Sequence, residues 1–445
     1  MDTYKPKKTR IVMATFGSLG DLHPYIALGL EMKRRNVDPV IATSEVYREK
    51  VEQAGIRFAP VRPRMPELDS PEAVELIDRI FDPKTGAQFL IKELIAPSIR
   101  DSYYDLYKAV VGADLLITHP MTLAGPIVAQ ATRIPWVSTV LAPASLWSDH
   151  DPVVPPNAPL LGQLMRSGGP KITALIRKGI QMLMNGWIEP VYALRRELGL
   201  APGDHPLFSG QFSPRLNLAL FSAVMYQRPA DVPAHTTVTG FPFYDGGRTA
   251  TLSTELSEFL DRGSAPVVFT LGSSAVHVAG DFFRESIAAA SIAKVRAVFL
   301  VGSERAMPKA PLPDGMIAAP YAPFGDLLPR ASAVVHQGGA GTTGQALKAG
   351  VPMVVVPFNY DQHDNAARLQ RLGVGLTIER KRYEGGTVAQ SLSRLLSQPA
   401  YMERAFRVGE LVRSEDGTVR AVDEILSTIK GSTNTGGIPA AAPVL

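Results

Sequence analysis

"AVVHQGGAGTTGQALKAGVP", residues 333–352, runs a β-branched strand into His336 and then sets Gly338, Gly339, Gly341 and Gly344 ahead of an opening helix. Glycine lets backbone approach a ligand closely, and a helix start presents unpaired amides with a partial positive charge, so the stretch reads as an anion site. A P-loop would need a lysine followed by serine or threonine, and none is present here, which argues against a magnesium-dependent NTPase. The polar groups on offer are His336, Thr342 and Thr343. They suit phosphates carried on a leaving group, and a plain strand-to-helix turn is the alternative for the motif taken alone.

Outward from this stretch, the same grammar of apolar strand, glycine or serine, then helix recurs twice, in "TRIVMATFGSLGDLHP" from Thr9 and "APVVFTLGSSAVHVAGDFF" from Ala265. The first set predicts strands over 11–16, 39–43, 115–118 and 136–141, and a helix over 24–35 that starts at Pro24. The second predicts strands over 267–271, 297–301, 333–336 and 353–356. Alternation of this kind means α/β architecture: two Rossmann-like domains with parallel sheets facing across a cleft. The expected division is an amino-terminal domain over 1–240, a turn-rich linker over 241–250 and a second domain over 251–415. A helix over 416–430 is expected to pack back on the first domain, and "GSTNTGGIPAAAPVL" over 431–445 has the composition of a disordered tail.

A chain of 445 residues suits such a pair of domains, at a prior of about 150 residues each. Lys plus Arg exceed Asp plus Glu by only 46 to 42, so no basic arm argues for nucleic acid. The absence of cysteine excludes disulfides, thiolate metal sites and cysteine nucleophiles. The amino terminus carries no signal-type apolar region, and no run reaches the length of a membrane span, so a cytoplasmic setting is expected. The segment over 170–198 is amphipathic, with Ile172, Leu175, Ile176, Ile180, Leu183, Met184 and Trp187 at helical spacing. It reads first as a helix covering the core, then as a wall of an apolar pocket, and last as a weak peripheral membrane contact.

After the strand "MVVVP" comes "YDQHDNA", which puts Asp361 and Gln362 where parallel sheets bind ligands. A carboxylate beside an amide suits two neighbouring sugar hydroxyls, and a helix cap is the competing reading. Taken in order, "LGSS", "YAPFGDLLPRASAVVHQGGAGTTGQALKAGVP" and "PFNYDQHDNAARL" resemble the nucleotide-sugar half of the family 1 glycosyltransferases, which have the two-domain GT-B fold. "GSLGDLHPYIALGLEMKRR" is similar to the first loop and helix of bacterial members acting on macrolides, glycopeptides, sterols and rhamnolipids.

The resemblance implies a donor site. His336 would contact the α-phosphate, and Gly338, Gly339, Ala340, Gly341, Thr342 and Thr343 with Ser273 and Ser274 would hold the pyrophosphate. Tyr321, followed by Ala322, stands where relatives stack a tryptophan on the base. Gln345 would meet the ribose, and Asp361 and Gln362 the sugar. Donors are a UDP-sugar, UDP-glucose foremost, or a dTDP-sugar, with no further cofactor and no metal.

The first loop resembles that of relatives in which an aspartate, here Asp21, serves as general base. Because a free aspartate with a pKa of about 3.9 is a weak base, His119 at the end of "ADLLITHP" is expected to tune or relay its proton. Phe16, Leu19, His23, Trp147 and Trp187 are the expected contacts of a small hydrophobic, hydroxyl-bearing acceptor. "DHD" at 149–151 matches a metal-binding pattern, but among prolines it reads as turn capping or acceptor contact. "GSLGDL" lacks dinucleotide spacing, which disfavours a nicotinamide enzyme. A dTDP-rhamnose-type transferase acting on a hydroxy-fatty-acid lipid, a nucleotide-sugar epimerase of the same fold and a noncatalytic binding protein are the remaining alternatives.

Overall fold

Two parallel sheets frame the computed structural model, which describes residues 8–67, 70–156, 158–226, 228–246 and 251–430. The first contains β1 (Arg10–Ala14), β2 (Asp38–Thr43), β3 (Arg57–Pro60), β4 (Leu115–Thr118), β5 (Trp136–Val140), β6 (Asn217–Ala219) and β7 (Thr236–Val238), in the order β3-β2-β1-β4-β5-β6-β7. The second contains β8 (Val267–Thr270), β9 (Ala297–Leu300), β10 (Met316–Ala319), β11 (Ala333–His336), β12 (Met353–Val355) and β13 (Gly375–Thr377), in the order β10-β9-β8-β11-β12-β13. All pairings are parallel. β3, β6, β7, β10 and β13 were not anticipated from sequence; each lacks the run of three large apolar residues that marks β4, β8 and β12, strands of no greater length.

Both sheets reverse their winding direction between two central neighbours, β1 and β4 in one and β8 and β11 in the other. Ligands bind beyond the carboxyl ends of strands at such switch points, so the topology directs attention to the loops after these four strands. The strands themselves are held by burial. Apolar clusters cover both faces of each sheet, Val12, Val40 and Leu116 on one side of the first and Ile11, Ile41 and Ile117 on the other.

Helix Leu19–Arg34 begins five residues before the expected start at Pro24, which lies inside it. Ser18 caps its first turn, and a side chain that accepts orphan amides sets the boundary more strongly than a proline that merely tolerates a helix start. Helix Gly417–Lys430 packs against this same helix through Ala421, Val422 and Ile425. The end of the linker expected over 241–250 and the tail over 431–445 lie outside the described residues.

Helix Pro159–Met184 is interrupted at Gly169, whose φ of 74° is left-handed. Its apolar stripe does not lie wholly on the core as expected. Ile180, Met184 and the following Trp187 pack there at helical spacing, whereas Leu175 is 68% and Leu183 78% exposed on other faces of the same segment. Among the described residues no helix is long and apolar enough to cross a membrane.

Candidate functional site

The loop after β1 brings Asp21 to the switch point of the first sheet. Asp21 is the third residue of helix Leu19–Arg34, and its Oδ2 accepts hydrogen bonds from the Ser18 amide (2.7 Å) and the Ser18 hydroxyl (3.1 Å). Gly17 is required beside it. Its φ is 138°, and a side-chain carbon there would lie 2.3 Å from Asp21 Oδ2. The Tyr47 hydroxyl holds the loop by donating to the Gly17 carbonyl.

His119 follows β4, the strand next to β1, and its amide donates to the Ala14 carbonyl. Its Nε2 faces Asp21 Oδ1 at 3.4 Å. Its Nδ1 accepts the Met121 amide at 3.2 Å, so the hydrogen-bond pattern assigns the neutral ring its proton on Nε2, pointing at the carboxylate. Of the two roles expected of His119, this tautomer favours tuning over relay. An imidazole whose Nδ1 is bonded to an amide and whose Nε2 already carries hydrogen can orient Asp21 but has no vacant position to receive its proton. Buried Tyr25 packs edge-on against the ring and is itself fixed by the Thr139 hydroxyl.

Across the cleft, Gly339 is the N-cap of helix Ala340–Ala349, and no side chain caps the first amides. Gly338 has a φ of 90°, and a side-chain carbon there would crowd Val355 and the Gln362 carbonyl, so only glycine makes this turn. Nothing lies within 4 Å of a side-chain carbon built on exposed Gly341. His336 and Thr343 are completely buried below this surface, and His336 Nε2 and Thr343 Oγ1 have no hydrogen-bond partner in the described protein. Burial lowers the His336 pKa to about 3, so the ring is neutral, and its Nδ1 accepts the Gly338 amide. His336 therefore offers a neutral N–H. Ser273 and Ser274 lie half-buried after β8, beside β11.

The loop after β12 carries Asp361 and Gln362. Burial pushes the Asp361 carboxyl up to about 7; the Asp21 charge adds to the shift and the Asn365 amide opposes it. The two carboxylates thus lie within electrostatic reach across the cleft. Gln362 Oε1 accepts the Phe358 and Asn359 amides, so only its nitrogen is left to meet a sugar hydroxyl.

The linker packs against several of the expected contacts. Gly344 admits the ring of Phe241 from the linker, not a ligand: a side-chain carbon there would lie 2.9 Å from it. Gln345 Nε2 donates to Asp245, a linker carboxylate that the sequence reading passed over as part of a turn. His23 packs edge-on against Tyr244 of the linker, and burial, with Lys50 adding to it, lowers its pKa to about 4. Leu19 joins the same cluster as Tyr244 and helix Gly417–Lys430. Both residues lie on the face of their helix that is turned toward the linker. Phe16, Trp147 and Trp187 do pack together on one apolar cluster with Met65, Met121 and Met184. Tyr321 is 59% exposed and Ala322 is buried beneath it.

The "DHD" carboxylates are each taken by arginine. Asp149 is held by both Nε and a terminal nitrogen of Arg177, each at 2.8 Å. Asp151 accepts Arg368 at 2.6 Å across the domain boundary, and Arg368 also binds Asp364, on the helix that Asp361 begins. Among the described residues no cluster of His, Asp or Glu could hold a metal ion.

Two switch points facing each other, one with a carboxylate–imidazole pair and the other with an uncapped glycine-rich helix start, define the GT-B class of α/β enzyme. Residues 11–140 match the glycosyltransferase family 28 N-terminal domain, and residues 289–425 match the erythromycin biosynthesis protein CIII-like C-terminal domain. O-mycaminosyltylonolide 6-deoxyallosyltransferase of Streptomyces fradiae is 33% identical over 426 residues, covering 93% of this chain and 96% of that protein. The sterol 3-beta-glucosyltransferase of Leptosphaeria maculans is 29% identical over 96% of this chain, which spans only 29% of that longer protein. Among solved structures, CalG4, the calicheamicin glycosyltransferase, has the same fold at a TM-score of 0.70 and 18% identity, over 96% of this chain and 100% of its own. The chain belongs to the family 1 glycosyltransferases of GT-B fold.

Proposed function

We propose that this glycosyltransferase moves a hexose from a nucleoside diphosphate, UDP-glucose foremost, to a hydroxyl of a small apolar or aromatic acceptor, inverting the anomeric carbon without a metal ion. The observation that carries the reading is the Asp21–His119 pair lying within electrostatic reach of Asp361, at the end of β12 beside the glycine-rich helix start. A carboxylate oxygen offers two lone pairs, and both on Oδ2 are occupied by Ser18, while Oδ1 faces one N–H from His119. The remaining lone pair on Oδ1 takes the acceptor's proton. As the acceptor oxygen bonds to the anomeric carbon, the bond to the diphosphate breaks and its electron pair leaves with the phosphate. Uncapped amides at Ala340 and Gly341 would stabilise that charge, and the pairing of Asp149 and Asp151 with arginine supports a transfer without a cation at the "DHD" stretch.

The apolar cluster of Phe16, Met65, Met121, Trp147 and Trp187 supports an acceptor such as the O-mycaminosyltylonolide or sterol of the relatives' names. The test is incubation with UDP-glucose or dTDP-glucose in excess EDTA, with and without a phenolic, sterol or hydroxy-fatty acceptor, following nucleotide release and the product anomer. Acceptor-dependent release with an inverted anomer is expected. Isomerisation without acceptor, or saturable binding without turnover, would replace the reading by an epimerase or a binding protein.

Asp361 supplies a pH dependence. Its ionised form accepts from sugar hydroxyls, so donor affinity should rise with pH through about 7. Removing the like charge in Asp21→Asn favours ionisation, so the midpoint should move to lower pH. Calorimetric donor titrations across pH in both proteins check this; an identical midpoint would separate the two carboxylates.

A further inference from the structure

Resting on the nucleotide-sugar reading, we infer that Asp245 is the ribose-recognising carboxylate of the donor site and that it selects ribonucleoside over 2′-deoxyribonucleoside diphosphate sugars. Covalent structure places a donor's ribose between its base and its phosphates. In this chain the exposed aromatic face is Tyr321, and the phosphate-binding surface begins at Gly339, so the ribose must bridge the chain after β10 and helix Ala340–Ala349. Asp245 is in that gap. One oxygen accepts Gln345 Nε2 from the second turn of the helix, and the other lies 2.7 Å from where a side-chain carbon on Gly325 would stand, four residues after Tyr321. The absence of a side chain at Gly325 keeps the carboxylate in this position, and Asp245 is only half-buried, so its remaining lone pairs are open to hydroxyl donors.

The chemistry fixes the preference. A carboxylate only accepts, and two vicinal ribose hydroxyls present two donors to it. A 2′-deoxyribose presents one and leaves a desolvated anion partly unmatched. Gln345 alone, a neutral amide, would discriminate far less. Asp245 lies on the linker while Gln345 lies on the carboxyl-terminal domain, so ribose binding would also add a contact across the hinge.

The experiment compares UDP with 2′-deoxy-UDP by calorimetry on the full chain, which keeps the base and the diphosphate constant, and repeats it with Asp245→Asn. Asparagine retains an oxygen for Gln345, so the linker contact survives. UDP is expected to bind at least about tenfold tighter than its 2′-deoxy analogue, the size of one hydrogen bond to a charged group. In Asp245→Asn that ratio should fall to within about threefold, mostly through weaker UDP binding. Equal affinities in the unsubstituted protein, or a ratio that Asp245→Asn leaves intact, would overturn the inference. So would an equal loss of both affinities, which marks a linker contact alone. If neither nucleotide binds, the proposed function itself fails.

Discussion

Asp21→Asn should lower kcat by about 10²–10⁴-fold, the usual worth of a positioned general base, with donor affinity at alkaline pH within a few-fold of the original. The substitution is informative because Asp21 has two duties. Its Oδ2 closes the first turn of helix Leu19–Arg34 with Ser18, and its Oδ1 faces His119 and the cleft. Asparagine keeps a carbonyl oxygen for the Ser18 amide and loses the base. Asp21→Ala loses both, and should add the cost of a lost cap, about 0.5–2 kcal/mol. If capping were the whole role, Asp21→Asn would turn over almost normally and Asp21→Ala would show a lowered Tm with unchanged kcat. Steady-state kinetics beside thermal melts separate the two cases, and near-native turnover in both variants removes Asp21 from the chemistry. His119 is tested through the same carboxylate: His119→Ala should shift the pH-rate profile, since it removes the N–H that faces Oδ1.

Most of the eight strands legible in the sequence are apolar runs buried along their length, such as "VVFT", with no polar alternation to confuse them. β6 and β7 were missed because Asn217–Ala219 and Thr236–Val238 are too short and too polar to announce themselves. Once the central strands are ordered, the positions of the key loops follow. The switch points fall after β1 and β4, and after β8 and β11, which is where Asp21, His119, Ser273 and the glycines had been read.

What the sequence concealed is pairing over long separations. Gln345 was read as a ribose contact on its own, and its carboxylate partner, 100 positions earlier in a turn-rich stretch, was not visible from sequence. The "DHD" aspartates were read as turn capping or acceptor contact, and it takes the fold to bring Arg368, 217 positions away, onto Asp151. His23 lies two residues from Asp21, but successive helix positions face different directions, so one points to the cleft and the other to the linker. Local signals did exist for some of what was missed. Ser18 and Asp21 have capping-box spacing, and Asp361 and Asn365 are four apart at a helix start, joined by a 2.8 Å hydrogen bond.

Gly341→Glu should leave the fold at least as stable and abolish donor binding, and the opposite signs make it a sharp test of the anion site. Gly341 occupies the first turn of helix Ala340–Ala349, which has no acidic residue there. Replacing glycine inside a helix gains up to about 1 kcal/mol, and an acid near the amino terminus adds about 0.3–1 kcal/mol. Open space around the position means that no neighbour must move to admit the side chain. The same carboxylate would stand where a diphosphate is to bind. Two like charges 4 Å apart repel by about 4 kcal/mol at an effective dielectric of 20, enough for a loss of donor affinity beyond about 100-fold. Gly341→Ala is the control for bulk alone and should lose less than about tenfold, since it leaves the amides free and adds no charge. Melting curves and UDP titrations on the three proteins decide the matter. A glutamate variant that melts at or above the original temperature and still binds UDP normally would show that the helix start holds no phosphate.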